Sequence, residues 1–497
     1  MGMDTYGIDR RSALKFGLTG LAASATRAAA APATAITAMG AVALQSAILR
    51  REVSCAEVMT ACLDQIERHN GAVNAIVALE PREALMAQAR EADAALARGE
   101  IRGPLHGFPH AVKDLQAVQG LRFTSGSPIF KDRIAEADGP VAARLRAAGV
   151  IFIGKTNTPE FGLGSHSYNQ VYGVTRNAHD PRVSAGGSSG GAAVALALRM
   201  VPLADGSDYG GSLRNPAGWN GVYGFRRSLD DPGGRGREHW LSGQGVQGPM
   251  ARSVADLALL QRVLTGEDVN PAPGLAMKGK RIGWLGDMGG ALPYAPGVLE
   301  TCETALKTFT AIGCNVAPAT PDYPVEAAWQ AFRKLRGWLN GYNLHDHYDD
   351  PARRPLLKPE AVHEVEVGRA LSAFDLAEQA QVRADWSRAV AALFERFDYL
   401  ILPTAQLFAF DASLTWPREV GGKQMRTYHE WMAAQCLITL AGCPSLAAPA
   451  GYNARGLAMG LQIIAPVGRN MDCFALAAAY EAAAGASVTR RPPPRLA

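Results

Sequence analysis

Glycine and serine are concentrated in one otherwise apolar part of the chain. It contains Gly-Gly-Ser-Ser-Gly-Gly at 186–191 and Asp-Tyr-Gly-Gly-Ser at 208–212. Such composition is typical of flexible linkers, but the flanking sequence predicts a buried helix at 192–198 and a short buried strand at 201–204. A linker does not lie between buried elements. We therefore expect two fixed loops with a structural or catalytic role.

The second loop presents a serine beside free backbone N–H groups. Gly210 and Gly211 lead directly into Ser212, and glycine lets the backbone approach another group closely. Acyl transfer requires a hydroxyl nucleophile next to N–H donors, because the donors stabilise the oxyanion that forms on the carbonyl. The pattern therefore indicates Ser212 as a candidate nucleophile.

Several separated segments resemble the amidase signature family, the serine amide hydrolases with a Ser–Ser–Lys triad. They include both glycine loops and four further stretches: Leu-His-Gly-Phe-Pro-His-Ala-Val-Lys-Asp at 105–114, and the segments at 153–162, 248–254 and 442–462. The resemblance extends from about residue 40 to the C-terminus. It implies an amidase signature domain over 36–497.

The resemblance implies Ser212 as the nucleophile, Ser188 as the bridging serine and Lys113 as the base. The ordinary pKa of lysine, about 10.4, is too high for a base at neutral pH. Burial and hydrogen bonding to Ser188 are expected to lower it. Ser188 would then pass the proton between Lys113 and Ser212 and return it to the leaving amine. In the family a cis peptide bond precedes the bridging serine, here between Gly187 and Ser188.

The resemblance also assigns supporting roles around the triad. Four backbone N–H groups are expected to form the oxyanion hole: those of Tyr209, Gly210, Gly211 and Ser212. Ser189 is expected to support the site, and Asp208 and Arg214 are expected to fix the loop, since a buried arginine can donate several hydrogen bonds. If Lys113 is not the base, His110 is the first alternative.

Predicted helices and strands alternate along the chain, which is typical of an α/β protein. Helices are predicted at 54–70, 81–99, 142–148, 253–264, 298–312, 325–339, 375–397, 428–441 and 472–484, and strands at 150–154, 281–285, 316–318, 399–402, 445–449 and 461–465. The resemblance implies one large domain with a mixed β-sheet covered by helices on both faces.

Charge and cysteine content exclude other classes of protein. The chain has 50 basic and 46 acidic residues without a basic stripe, which argues against a nucleic-acid partner. Seven cysteines lack zinc-site spacing and are expected to be buried apolar residues. His345, His347 and Asp349 are interpreted as part of a solvated acidic loop rather than a metal site. The implied mechanism needs no cofactor and no metal; the expected partner is a small-molecule amide, and a homodimer stays open.

Residues 1–35 resemble a twin-arginine export signal. Asp9-Arg10-Arg11-Ser12 precedes a mildly apolar run at 16–26 and several Ala-x-Ala sites at 29–35. The alternative is a ragged amphipathic helix, since Arg27 interrupts the sequence. The run is too short to span a membrane. We expect a periplasmic or secreted protein, and otherwise a cytoplasmic one.

Three functions are weighed. The leading one is an amidase for linear amides, which converts a carboxamide to a carboxylate and ammonia or an amine. An amidotransferase A-type subunit, which delivers ammonia to tRNA-bound glutamate, would share the triad but needs cytoplasmic partners, contrary to an export signal. A non-catalytic binding protein has no reason to keep a buried lysine. The region at 226–245 departs from the family pattern, so the sequence leaves the amide substrate unassigned.

Overall fold

The computed structural model describes residues 33–229, 244–269, 271, 277–485, 488, 493 and 494. The expected export signal therefore lies almost wholly outside the described residues. Most of the atypical region at 226–245 lies outside them as well.

Helices and strands alternate through the described residues, as the sequence predicts. The helices are α1 (Ala33–Ala38), α2 (Ala41–Leu49), α3 (Cys55–Val73), α4 (Arg82–Ala97), α5 (Pro140–Ala147), α6 (Gly190–Ala197), α7 (Arg214–Asn220), α8 (Val254–Thr265), α9 (Val298–Ala311), α10 (Val325–Asp349), α11 (Pro359–Arg369), α12 (Ala373–Arg396), α13 (Ala433–Ala441) and α14 (Asn470–Ala484). The strands are β1 (Ile76–Val77), β2 (Pro109–Lys113), β3 (Ile151–Thr156), β4 (Tyr168–Asn169), β5 (Gly173–Val174), β6 (Ala204–Asp208), β7 (Tyr223–Arg226), β8 (Val246–Ala251), β9 (Arg281–Trp284), β10 (Asn315–Pro318), β11 (Tyr399–Pro403), β12 (Glu419–Val420), β13 (Lys423–Gln424), β14 (Ser445–Tyr452) and β15 (Ala458–Ile464).

A mixed sheet is the centre of the fold. Among the described residues its strand order is β10-β9-β11-β15-β14-β7-β8-β6. β10, β9 and β11 run parallel to one another, and the other neighbours are antiparallel. Every residue of β11 and β15 is buried. Because successive side chains of a strand point to opposite faces, both faces of the sheet are covered there, and the predicted mixed sheet with helices on both faces is confirmed.

A smaller sheet adjoins the large one at the candidate site. Its order is β1-β3-β2, with β2 parallel and β1 antiparallel to β3. β2 lies beside β6, the last strand of the large sheet, where the Asp205 carboxylate accepts the backbone N–H of Lys113 at 3.2 Å. The two sheets therefore meet at strands that carry candidate site residues.

Local sequence explains several element boundaries. α3 begins after Ser54, whose hydroxyl accepts the Glu57 N–H while the Glu57 carboxylate accepts the Ser54 N–H, a capping box. The helix predicted at 192–198 is α6, which begins at Gly190, inside the first glycine loop. All seven cysteines are buried and unpaired, as predicted.

Two predictions were wrong in detail. The strand expected at 201–204 instead runs from Ala204 to Asp208, through residues with low intrinsic preference for strands. The helix predicted at 325–339 continues to Asp349, so His345 and His347 are helical rather than in a loop. Within the described ranges, no cluster of histidine, cysteine and carboxylate side chains could hold a metal ion. No helix there has the length and apolarity required to cross a bilayer.

Candidate active site

The residues of the candidate site come from three separate segments of the chain rather than from a single loop. Lys113 is the last residue of β2. Ser188 and Ser189 immediately precede α6, and Ser212 lies in the turn between β6 and α7. The structure places Ser188 within hydrogen-bond distance of Lys113, and the backbone of Ser212 contacts the neighbouring Ser189.

The amine of Lys113 is surrounded by hydroxyl groups. Its Nζ donates to Oγ of Ser188 at 2.8 Å, Ser189 at 2.9 Å and Ser207 at 2.9 Å, and the side chain is fully buried. Burial lowers the pKa of Lys113 to about 7, although the charges of Asp205 and Asp208 oppose this shift. A lysine with this pKa is partly neutral near pH 7 and can accept a proton.

Both serines before α6 contact the lysine. The Gly187–Ser188 peptide bond is cis, as the resemblance implies. Ser189 was expected only to support the site, yet its hydroxyl contacts Lys113 as closely as that of Ser188 does. In addition, the Ser189 N–H donates to the carbonyl oxygen of Ser212 at 3.2 Å, which connects the two glycine loops.

The loop before Ser212 offers fewer N–H donors than expected. The Gly211 N–H donates to Oδ1 of Asp208 at 2.9 Å and is therefore already occupied. In the described part of the chain, the N–H groups of Tyr209, Gly210 and Ser212 have no acceptor. Gly211 has a φ of +104°, and a Cβ there would lie 2.7 Å from the Gln435 side chain, so only glycine fits.

A buried ion pair fixes this loop. Asp208 accepts hydrogen bonds from Nε and Nη2 of Arg214 at 2.9 and 2.8 Å, and from the Leu213 N–H at 3.1 Å. Arg214 also donates to Gln462 Oε1 and Thr439 Oγ1. Burial alone would raise the pKa of Asp208, but the charge and hydrogen bonds of Arg214 outweigh it and hold the pKa below its usual range. This is the geometry expected of a pair that shapes the loop.

Arg226 belongs to the same cluster. It stands at the start of the region that departs from the family pattern, and its Nη1 donates to the carbonyl oxygen of Asp208 at 2.6 Å. Its guanidinium lies 3.6 Å from the Asp208 carboxylate. Arg226, which departs from the family pattern, therefore adds a buried hydrogen bond to the loop that carries Ser212.

Ser207 and Asp205, which lie next to Lys113, are not among the predicted site residues, and His110 was predicted only as an alternative base. Ser207 contacts the Lys113 amine directly. Asp205 accepts the Lys113 backbone N–H and lies 3.0 Å from His110 Nε2. The available signal was one polar residue within each of two otherwise apolar segments, His110 in 108–112 and Asp205 in 201–206.

An apolar wall borders the nucleophile loop. A Cβ on Gly210 would lie 3.1 Å from the Cys436 sulfur, 3.2 Å from the Phe332 ring and 3.7 Å from the Met432 methyl group. The Phe332 ring also packs edge-on against Tyr209, with centroids 5.8 Å apart. Aromatic and sulfur-containing side chains therefore pack directly behind the loop.

Comparisons with known proteins identify the family of the chain. The sequence profile of the amidase family matches residues 57–474. An acylamidase from Rhodococcus erythropolis is 32% identical over 461 residues, covering 88% of this chain and 94% of that protein. The A-type subunit of the glutamyl-tRNA(Gln) amidotransferase of Salinispora tropica is 33% identical over 494 residues, covering 91% and 98%.

Solved structures show the same fold. A bacterial aryl acylamidase has a TM-score of 0.84 at 24% identity, covering 90% of this chain and 97% of that one. A second crystal structure, of an amidase, has a TM-score of 0.80 at 27% identity, covering 89% and 99%. With its profile match over most of its length and relatives above 30% identity, the chain belongs to the amidase signature family.

Proposed function

We propose that this protein is a free-standing amide hydrolase that forms an acyl-enzyme on Ser212. The observation that carries the proposal is the buried Lys113 amine, 2.8 Å from the Ser188 hydroxyl, with a pKa of about 7. A partly neutral amine next to a chain of hydroxyl groups can activate a serine without histidine.

The contact between Lys113 and Ser188 supports the second half of a proton path, and the first half, from Ser212 to Ser188, is part of the proposal. Ser212 Oγ attacks the amide carbonyl carbon while its proton passes to Ser188 and the Ser188 proton passes to Lys113. The N–H groups of Gly210 and Ser212 stabilise the oxyanion. When the C–N bond breaks, the proton returns through Ser188 to the leaving nitrogen. Water then attacks the Ser212 ester by the same path and releases the carboxylate.

The apolar wall supports an apolar acyl group in the substrate. Phe332, Met432 and Cys436 lie directly behind Gly210, two residues before Ser212, and the proposal places the acyl group along this side of the loop. Burial of an apolar group against these side chains is favourable, whereas burial of a charged or amide-bearing group without partners is not. The acylamidase and aryl acylamidase similarities agree with this choice.

The test is release of ammonia or amine from a panel of acetanilide, benzamide, hexanamide and L-glutamine. The native full-length chain is expected to hydrolyse the apolar amides, and Ser212→Ala is expected to hydrolyse none of them. The matched variant Ser46→Ala, on α2, is expected to hydrolyse the apolar amides at the native rate. Activity in Ser212→Ala would contradict the proposal. A folded native chain that is silent on every amide would also contradict it, and would favour an amidotransferase component that needs partners.

A further inference from the structure

Two buried polar side chains lie next to the proposed base without a part in the proton path. Asp205 on β6 and His110 on β2 are each 1% exposed. His110 Nε2 lies 3.0 Å from Oδ1 of Asp205, so the ring donates a hydrogen bond to the carboxylate. A buried carboxylate is costly unless it is hydrogen-bonded.

Asp205 also holds the strand that carries the base. Its two carboxylate oxygens lie 3.2 and 3.4 Å from the backbone N–H of Lys113. β6 and β2 belong to different sheets, and their backbones are not paired. The Asp205 side chain thus takes the place of a strand-to-strand hydrogen bond at the residue that must be positioned.

The two aspartates near Lys113 differ in how their charges are balanced. Asp208 is paired with Arg214 and lies 3.6 Å from Arg226. Throughout the described residues, Asp205 has no lysine or arginine within ion-pair distance, and His110 is its only charged-type partner. No described lysine or arginine neutralises the negative charge of Asp205, so this charge can stabilise the protonated amine of Lys113.

The other ionisable groups around this position are few. Lys155 on β3 is buried, and its pKa is lowered to about 8 by burial, against the opposing charges of Asp114 and Asp205. Asp114 follows Lys113 in the chain, but its carboxylate accepts the Thr124 backbone N–H at 3.1 Å. Asp205 is thus the carboxylate whose charge acts on both buried lysines and which bonds to the Lys113 backbone.

We propose that Asp205, held by His110, is a positioning residue for Lys113: its oxygens fix the end of β2, and its negative charge sets the pH at which the lysine becomes an active base. The inference rests on the proposed function, in which Lys113 is the base. It gives the charge of Asp205 a measurable consequence, because a nearby negative charge favours the protonated amine.

The direction of the effect follows from this charge. Without the negative charge of Asp205, the Lys113 amine loses its proton at lower pH. The acid limb of the activity profile, the pH range in which activity rises as the base loses its proton, therefore moves to lower pH. An asparagine in place of Asp205 would still accept the Lys113 N–H, so the plateau rate at high pH is retained. A purely structural role would lower the rate at every pH and leave the limb in place.

The experiment measures how fast an alkyl fluorophosphonate inactivates the full-length chain between pH 5 and 9. In this reaction Ser212 Oγ bonds to phosphorus, fluoride leaves, and the serine proton passes toward Lys113. For Asp205→Asn the acid limb is expected about one pH unit lower than native. The matched control is Asp256→Asn, which alters a buried carboxylate that caps α2 and should leave the limb in place. An unmoved limb in Asp205→Asn would overturn the inference.

Two changes at His110 test its part. A glutamine side chain can still donate to Asp205, so His110→Gln is expected to keep the native limb. His110→Leu removes the donor and leaves the Asp205 charge less compensated, so it is expected to move the limb to higher pH, opposite to Asp205→Asn. Loss of the limb in His110→Gln would identify the histidine as the titrating group and overturn the inference. Failure of the native chain to be labelled at Ser212 would instead contradict the proposed function, so the two failures are distinguishable.

Discussion

Asp208 and Arg214 form a fully buried ion pair with two hydrogen bonds, of 2.8 and 2.9 Å, six residues apart and on either side of Ser212. The pair closes the nucleophile loop on itself and, through Arg214, ties it to Gln462 in the central sheet. Because neither side chain reaches solvent, each depends on the other for its charge to be tolerated.

Arg214→Met should therefore destabilise the fold strongly. It leaves the Asp208 carboxylate buried with only the more distant Arg226 as a cationic partner, and removal of one member of such a pair costs about 3–5 kcal/mol. Urea denaturation followed by circular dichroism would measure the loss. The matched control is Arg182→Met, which breaks an exposed pair with Asp180 and should leave the transition near its native position. Equal effects of the two changes would contradict a special role for the buried pair.

The sequence was sufficient to predict the residues that meet at the site but not all of their contacts. The glycine-rich loop indicated Ser212, and the family resemblance assigned Lys113 and Ser188; a strand or a helix adjoins each of the three. Ser207 and Asp205 lie in β6, whose sequence Ala-Asp-Gly-Ser-Asp has little strand preference. Pairing with β8, distant in the chain, makes it a strand, and only that pairing turns these side chains toward Lys113.

The position at which a helix ends was the other feature that could not be predicted from the sequence. α10 continues past the predicted end at 339 because α11, a helix that is not among the predicted ones, packs along it. A Cβ on Gly341 would lie 3.2 Å from the Glu364 carbonyl oxygen, and one on Gly368 would lie 2.4 Å from the Gly337 carbonyl oxygen. Such close backbone approach stabilises both helices through tertiary contact rather than through local propensity.

The two serines that contact Lys113 should differ in their effect on turnover. If Ser188 carries the proton, Ser188→Ala should lower kcat by about 10²–10⁴-fold, the range typical of a lost acid–base group. Ser189→Ala removes a contact of similar length but leaves the proton path intact, so its loss should be much smaller. Steady-state kinetics on a hydrolysed anilide would compare them, with thermal unfolding to confirm that both variants fold. A larger loss of kcat in Ser189→Ala than in Ser188→Ala would indicate that Ser189, rather than Ser188, carries the proton.

The export signal predicted at residues 1–35 should depend on the guanidinium groups of Arg10 and Arg11 rather than on the charge of the segment. Changing Arg10 and Arg11 together to lysine keeps the charge but removes the planar guanidinium groups, and a receptor-read signal is expected to fail. Fractionation of a bacterial host should then find the protein in the cytoplasm instead of the periplasm. Arg27→Lys, in the same segment, should not change the distribution. Export of the double variant at the native level would contradict the signal.

The buried amine of Lys113 should make stability depend on pH. Its pKa is lowered from 10.5 to about 7 in the folded chain, so between these values the unfolded chain holds a proton that the folded chain has lost. Stability contributed by this group therefore rises with pH across that window, by up to about 1.4 kcal/mol per pH unit. Lys113→Met lacks the titrating group, so the unfolding free energy of the native chain should increase relative to that of the variant between pH 7 and 10, as measured by urea denaturation at each pH. Parallel curves would show that Lys113 is not held in a neutral state, and would remove the basis for its role as the base.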